Sequence, residues 1–162
     1  MRATIKWLDS VAFVAESGSG HAIVLDGSPD HGGRNVGLRP MEAMLIGVGA
    51  CSAFDIVTIL ARSREQVTDC RVDLEAERAD DVPAVFTRID MHFVVEGRGL
   101  KETKVRRAVD LSADKYCSAS AMMRAAGVEL THSFEVVEDG RASRVSPICT
   151  GRPRHAARRP ES

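Results

Sequence analysis

Residues 39–62 decide the fold, and they read RPMEAMLIGVGACSAFDIVTILAR. Pro40 suits the first turn of a helix, and the spacing predicts one helix from Pro40 to about Arg62. Apolar side chains from Met41 to Leu60 cover nearly its whole circumference, so we expect burial on most sides. A body of about 140 residues is hardly large enough to enclose such a helix alone. The pattern therefore indicates a partner subunit.

Alternating apolar residues precede this helix in three short runs, at the two-residue period of half-buried strands. Turn-forming residues separate the runs, which favours a three-stranded meander. The runs are Ala3, Ile5 and Trp7, then Val11, Phe13 and Ala15, then Ile23 and Leu25.

The same alternation returns after the helix, at Cys70–Ala76 and again at Ile89–Val95. Two short helices broken near Ser112 follow, and a last strand carries Phe134 and Val136. The predicted order is β-β-β-α-β-β-α-α-β. This is an α+β pattern, not the strict strand–helix alternation of a doubly wound sheet.

Length and charge indicate one soluble domain, residues 1–140, and a basic tail, residues 141–162, that we expect to be disordered. The tail holds six arginines against one glutamate, whereas the whole chain has a net charge of −1. Aromatic residues make up only 4%, so nucleic-acid binding is not expected. The chain opens without an export signal, and its longest apolar run, residues 43–51, is short for a membrane span. We expect a cytoplasmic protein that binds no membrane.

The four cysteines form no Cys-x-x-Cys pair, and a structural disulfide framework is not expected in a reducing cytosol. No two histidines have metal-ligand spacing, so the sequence predicts no metal and no other cofactor. Cys117 follows Lys115 at the beginning of a helix, and both features favour a reactive thiolate. Cys51 lies among apolar helical residues, and composition alone favours a small core side chain there over a reactive thiol.

Asp55 lies four residues after Cys51, on the same helical face, where its carboxylate can accept the thiol hydrogen or act as a base. Glu42 stands near the start of the helix and either caps it or supports the thiol. Cys70 faces inward on its strand and is interpreted as core. Cys149 lies in the tail and is interpreted as incidental.

Two groups of residues, taken together, resemble the OsmC/Ohr family, the osmotically inducible and organic hydroperoxide resistance proteins. The first runs from residues 39–42 to residues 49–53, Gly-Ala-Cys-Ser-Ala, and the second from residues 109–112 to residues 115–117, Lys-Tyr-Cys. The resemblance covers about residues 3–138 and is closer to the YhfA-like branch.

The resemblance implies a fold in which two subunits entwine, with long central helices wrapped by sheets and two sites at the dimer interface. It also implies a peroxidase used in oxidative-stress defence. Cys51 would attack the O–O bond of an organic hydroperoxide and become a sulfenic acid. Cys117 would then condense with it to a disulfide, which a dithiol reductant reduces.

Two positions depart from the family's peroxidase pattern. Gly18 stands where those members carry an activating arginine in the first hairpin, and Met41 stands where they carry a glutamate. Glu42 comes one residue later, and Arg39 is a candidate for the missing positive charge. Asp55, Glu42 and Arg39 are therefore the predicted supporting residues.

These departures leave two other interpretations open. One is a non-catalytic dimer of the same fold that binds a small apolar or thiol-containing molecule at its interface, near Met44 and Val48. The other is a structural dimer with two buried thiols that have no function.

Overall fold

A computed structural model describes residues 1–139, so the predicted tail, residues 141–162, lies outside the described residues. The predicted α+β class is confirmed, and the first of the two short helices ends just before Ser112, as expected. The strands are β1 Ala3–Asp9, β2 Ala12–Ser17, β3 Ala22–Leu25, β4 Gln66–Arg78, β5 Phe86–Arg98 and β6 Glu129–Glu138. The helices are α1 Pro40–Arg62, α2 Glu102–Leu111 and α3 Ser118–Ala125, with a 3-10 turn at Pro29–His31 and a π-helical turn at Ser112–Tyr116.

The strands form two three-stranded sheets. The first sheet is the predicted meander, with β2 antiparallel to both β1 and β3. In the second sheet β5 lies between β4, which is antiparallel to it, and β6, which is parallel. A parallel pair needs a crossover connection, and α2, the π-helical turn and α3 supply it. This crossover carries Cys117 back over the sheet towards α1.

Strand β5 is the centre of the hydrophobic core. Its alternate residues from Ile89 to Val95 are at most 1% exposed, as expected for one face of a pleated strand. They pack with Ile56 and Leu60 of α1, which are 0% exposed. Gly49 lets α1 lie close to β4, because a Cβ atom there would come within 2.5 Å of Leu74.

Helix α1 is buried by this chain on one face only. By length and composition it could cross a membrane, yet here it packs on the second sheet and on α2 and α3. The opposite face carries Met44, Ile46, Phe54 and Val57, which are 40–72% exposed. The sequence predicted that α1 would be buried on most sides, but a single chain buries only one face of the helix.

The first sheet also presents an apolar face to solvent. Ile5 and Ile23 both pair with Ala15, so their side chains lie on the same face. Ile5, Ile23 and Trp7 are 47–62% exposed. The described chain therefore has two uncovered apolar surfaces, one on α1 and one on this sheet.

Candidate functional site

Cys51, Asp55 and Cys117 converge at one place. The two sulfur atoms and one Asp55 carboxylate oxygen all lie within 4.8 Å of one another. Cys51 and Asp55 come from adjacent turns of α1, and Cys117 comes from the crossover. Both thiols are free; Cys51 is half-buried, whereas Cys117 is 2% exposed. Folding thus brings together two sulfurs that are far apart in the sequence.

Three buried serines surround the Cys117 sulfur and its neighbouring backbone. The Ser52 hydroxyl donates to Cys117 Sγ at 3.2 Å and lies 3.3 Å from the Ser120 hydroxyl. The Ser112 hydroxyl donates to the carbonyl of Ser52 at 3.0 Å and so ties the crossover to α1. All three serines are 0% exposed. We call Ser52, Ser112 and Ser120 the serine cluster.

The backbone of the crossover aims the Cys117 side chain at α1. The Cys117 amide donates to the Ser112 carbonyl at 3.0 Å, which closes the π-helical turn. Cys117 is then the N-cap of α3, and its sulfur accepts the Ser120 amide at 3.4 Å. A helix N-terminus favours negative charge, so this position suits a thiolate.

The two thiols have opposite acidities. Burial alone would raise the pKa of the Cys117 thiol, but hydrogen bonds from Ser120 and Ser52 lower that pKa below the ordinary cysteine value. Burial raises the pKa of the Cys51 thiol, and the neighbouring Cys117 and Asp55 raise it further. Of the two thiols, Cys117 is therefore the more readily ionised.

Asp55 lies beside both sulfurs, and one oxygen of its carboxylate is buried without a partner in the described part of the chain. Within residues 1–139 its Oδ2 atom is buried and has no hydrogen-bond partner. A buried polar atom without a partner costs about 1–3 kcal/mol, so Asp55 is held in this orientation at a cost in stability.

A groove of about 640 Å3 lies beside the site, and Asp55 is the residue that the two share. Asp55 lines the groove and also lies beside the two sulfurs. Phe54, Ile59 and Leu111 contribute apolar side chains to the groove. Tyr116, the residue before Cys117, also lines it. A small molecule with an apolar part can therefore bind beside Asp55.

Comparisons with known proteins identify the family. A family model described as OsmC-like protein matches residues 31–133. The chain belongs to the OsmC-like family. Protein YhfA of Escherichia coli K12 is 47% identical over 137 residues, which cover 85% of this chain and 98% of YhfA. The predicted likeness to the YhfA-like branch is confirmed.

Solved structures agree with this assignment. A hypothetical protein from Aquifex aeolicus VF5 is 28% identical, with a TM-score of 0.74 over 85% of this chain and 96% of that one. An organic hydroperoxide resistance protein OsmC from Legionella pneumophila is 17% identical, with a TM-score of 0.62 over 83% and 96%. At that identity the second likeness shows the OsmC-like fold alone.

Two predicted supporting residues of this OsmC-like chain lie at the start of α1. The Glu42 carboxylate accepts the Arg39 amide at 2.9 Å and caps the helix, which is the structural interpretation considered above. The Arg39 side chain donates to the Gly37 carbonyl at 3.1 Å and to the Asn35 side chain at 2.9 Å. Arg39 precedes Cys51 by twelve residues, about 18 Å along a helix. Of the predicted supporting residues, only Asp55 lies with the thiols.

No arginine or lysine of residues 1–139 donates a hydrogen bond to either thiol or to Asp55. Gly18 lies at the end of β2, where its amide donates to the Arg2 carbonyl at 2.7 Å. The donors to Cys117 are hydroxyl and amide groups. The hydrogen-bond donors to Cys117 in this OsmC-like chain are therefore neutral groups.

The sequence interpretation missed the serine cluster. Ser52 interrupts an apolar helix one residue after Cys51, and Ser120 follows Cys117 at the spacing of an N-cap contact. Polar residues at otherwise apolar positions are the signal that would have found them, because buried hydroxyls need partners. Cys70 packs beside the core, as interpreted, and burial raises its thiol pKa.

Proposed function

We propose that this OsmC-like protein is a thiol peroxidase that reduces organic hydroperoxides through Cys51 and Cys117. The proposal rests on one observation, the convergence of the two free sulfurs within 4.8 Å. Rotation about the side-chain bonds would bring two sulfurs at that separation to the bond length of a disulfide, about 2.05 Å.

The half-buried Cys51 is the attacking sulfur, because it is the more accessible of the two. Its proton passes to the Cys117 thiolate as Cys51 forms a bond to the terminal oxygen of the hydroperoxide. The O–O bond breaks, and the alkoxide leaves as an alcohol with the proton from Cys117. Cys51 is then a sulfenic acid, and Cys117 is again a thiolate.

Cys117 next attacks the oxidised Cys51 sulfur. The S–S bond forms, the S–O bond breaks, and hydroxide leaves as water after taking a proton. The serine cluster supports this step, because Ser52 and Ser120 hold the Cys117 sulfur in the anionic form that attacks. A dithiol reductant then exchanges with the disulfide and returns both thiols.

The groove supports an organic hydroperoxide as the substrate. Its apolar side chains, which include Phe54 and Leu111, suit an alkyl or aryl group, and Asp55 both lines the groove and lies within 4.8 Å of the sulfurs. We place the reaction in the cytoplasm, where reductants keep free thiols reduced, as part of a defence against oxidative stress.

A homodimer belongs to the same proposal. The exposed face of α1 and the apolar face of the first sheet leave Phe54 at 72% and Trp7 at 62% exposure. Contiguous apolar surfaces of this kind mark protein interfaces. A second copy offers the same two surfaces, so one chain's sheet can cover the other chain's helix.

One observation favours a second function, a non-catalytic dimer that binds a small apolar or thiol-containing molecule at its interface, near Met44 and Val48. Peroxidase members of the family are expected to use an arginine to activate the thiol. Here Gly18 takes that position, and Arg39 bonds to Asn35 and Gly37. Under this alternative Cys51 would react with peroxide no faster than an ordinary buried thiol.

Cumene hydroperoxide separates the two functions. Reduced protein should lose two thiols per chain, and peptide mass mapping should find a Cys51–Cys117 bridge. Cys117→Ser should trap a sulfenic acid on Cys51, which a dimedone-type reagent labels. Cys70→Ser is the matched control and should behave as the native chain. A Cys51 thiol that stays unreacted under these conditions would refute the peroxidase and favour binding.

A further inference from the structure

We propose that Cys51, Asp55 and Cys117 form a zinc-binding site. Each residue offers one ligand atom, and the three atoms lie within 4.8 Å of one another. Zinc is bound in proteins by thiolate, imidazole and carboxylate groups, and a site with three protein ligands keeps a fourth position open for water. The sequence spacing does not show this site, because Cys117 arrives from the distant crossover.

The separations suit a tetrahedral ion after small side-chain rotations. With Zn–S bonds of about 2.3 Å and Zn–O bonds of about 2.0–2.2 Å, ligand atoms lie roughly 3.5–3.8 Å apart. Cys51 and Asp55 lie one helical turn apart on the same face of α1, a spacing that places two ligands on one ion. Cys117 closes the site from the opposite side.

The orphaned carboxylate oxygen is the second observation that points to a ligand. Asp55 Oδ2 is buried and has no hydrogen-bond partner among the described residues, and one carboxylate oxygen of Asp55 lies within 4.8 Å of both sulfurs. A divalent cation held by this carboxylate and two thiolates would offset their negative charges. The donor set of two soft thiolates and one carboxylate favours zinc over magnesium or calcium, which take oxygen ligands.

The serine cluster would act as the outer partner of the metal ligands. Ser52 and Ser120 already donate to Cys117 Sγ, and Ser112 fixes the Ser52 backbone. Such contacts orient ligands and tune their charge. The half-buried Cys51 and the adjoining groove give the ion a path from solvent.

Binding forms two Zn–S bonds and one Zn–O bond and releases the thiol protons, with no electron transfer. The site does not depend on peroxidase activity. One consequence does rest on the proposed function: zinc and the Cys51–Cys117 disulfide exclude each other, because both use the same sulfur lone pairs. Zinc would therefore protect the thiols from peroxide.

The test uses the full-length, reduced chain under anaerobic conditions, with Zn²⁺ titrated against a chromophoric chelator. We expect one zinc ion per chain. As the pH is lowered, the zinc affinity should fall by about tenfold per pH unit for each thiol proton that binding releases. Co²⁺ in place of Zn²⁺ should give thiolate-to-cobalt charge-transfer absorption and the strong visible bands of a tetrahedral site. Cys117→Ser should abolish both signals.

Asp55→Asn removes the carboxylate charge at nearly constant volume and should weaken zinc binding by at least about tenfold, with an unchanged circular dichroism spectrum. Cys70→Ser and Cys149→Ser are the matched controls and should bind as the native chain does. Equal zinc affinity in the native, Asp55→Asn and Cys117→Ser proteins would overturn the site. If the native chain binds no zinc but peroxide still forms the Cys51–Cys117 disulfide, the zinc site is wrong and the peroxidase proposal is kept. If the chain binds zinc but does not react with peroxide, the peroxidase proposal is wrong and the zinc site is kept.

Discussion

Replacing Ser52 by alanine removes one donor from the Cys117 sulfur without changing its burial. Hydrogen bonds to a charged group contribute about 1.5–3 kcal/mol. The Ser120 amide still donates to the sulfur in the variant, so we apply the lower figure. About 1.5 kcal/mol corresponds to roughly tenfold less Cys117 thiolate at any pH below its midpoint of ionisation. The thiolate of a less acidic thiol is also more nucleophilic, so the alkylation rate should fall only about threefold.

The assay isolates the thiol of Cys117. In a background of Cys51→Ser, Cys70→Ser and Cys149→Ser, the ultraviolet absorbance of the thiolate is followed against pH, and iodoacetamide alkylation gives the rate. Ser118→Ala is the matched control, since Ser118 is an exposed serine in the first turn of the same helix. An ionisation midpoint in Ser52→Ala equal to that of Ser118→Ala would show that the 3.2 Å contact does not stabilise the thiolate.

Three further predictions concern the fold and its association. Hydrogen bonds from Arg88 and from Thr131 lower the pKa of Asp90 to about 2. The ionised Asp90 therefore stabilises the fold above about pH 4, and this stabilisation is lost as the pH falls towards 2. The thermal unfolding temperature of Asp90→Asn should accordingly change less over this pH range than that of the native chain. Ile56→Ala empties a site that is 0% exposed and should cost about 2–5 kcal/mol in urea unfolding; a loss below 1 kcal/mol would contradict the described core. Trp7→Glu places a charge on the apolar face of the first sheet and should shift the proposed dimer towards monomer in light scattering, whereas an unchanged mass would move the interface elsewhere.

Much of the fold could be predicted because several strands and the long helix each have a pattern of apolar residues that can be recognised within their own stretch of sequence. The alternation of Ile5 and Trp7, and of Ile89 to Val95, is the period of a strand. The apolar stretch that begins at Pro40 and ends at Arg62 gave the helix with the bounds found in the structure. The approach of Cys51 to Cys117 came from the family resemblance, because nothing local in either segment encodes a contact across the chain.

The chemistry around the thiols was harder to predict. From the sequence, Glu42 could either cap the helix or support the thiol. The 2.9 Å contact with the Arg39 amide shows that it caps the helix. The serine cluster was missed because serine is common, and its meaning depends on burial. The same holds for Asp26, which is 2% exposed and accepts three backbone amides of the following loop.

The π-helical turn makes one stretch of this chain sensitive to length. Cys117 bonds to the carbonyl five residues before it, so the turn holds one residue more than an α-helical turn would. Deleting the exposed Asp114 would rotate α3 by about 100° about its axis, while the core around Phe93 stayed in place. A relative with one residue fewer in this turn would keep both cysteines in its sequence, but their sulfur atoms would no longer lie close together.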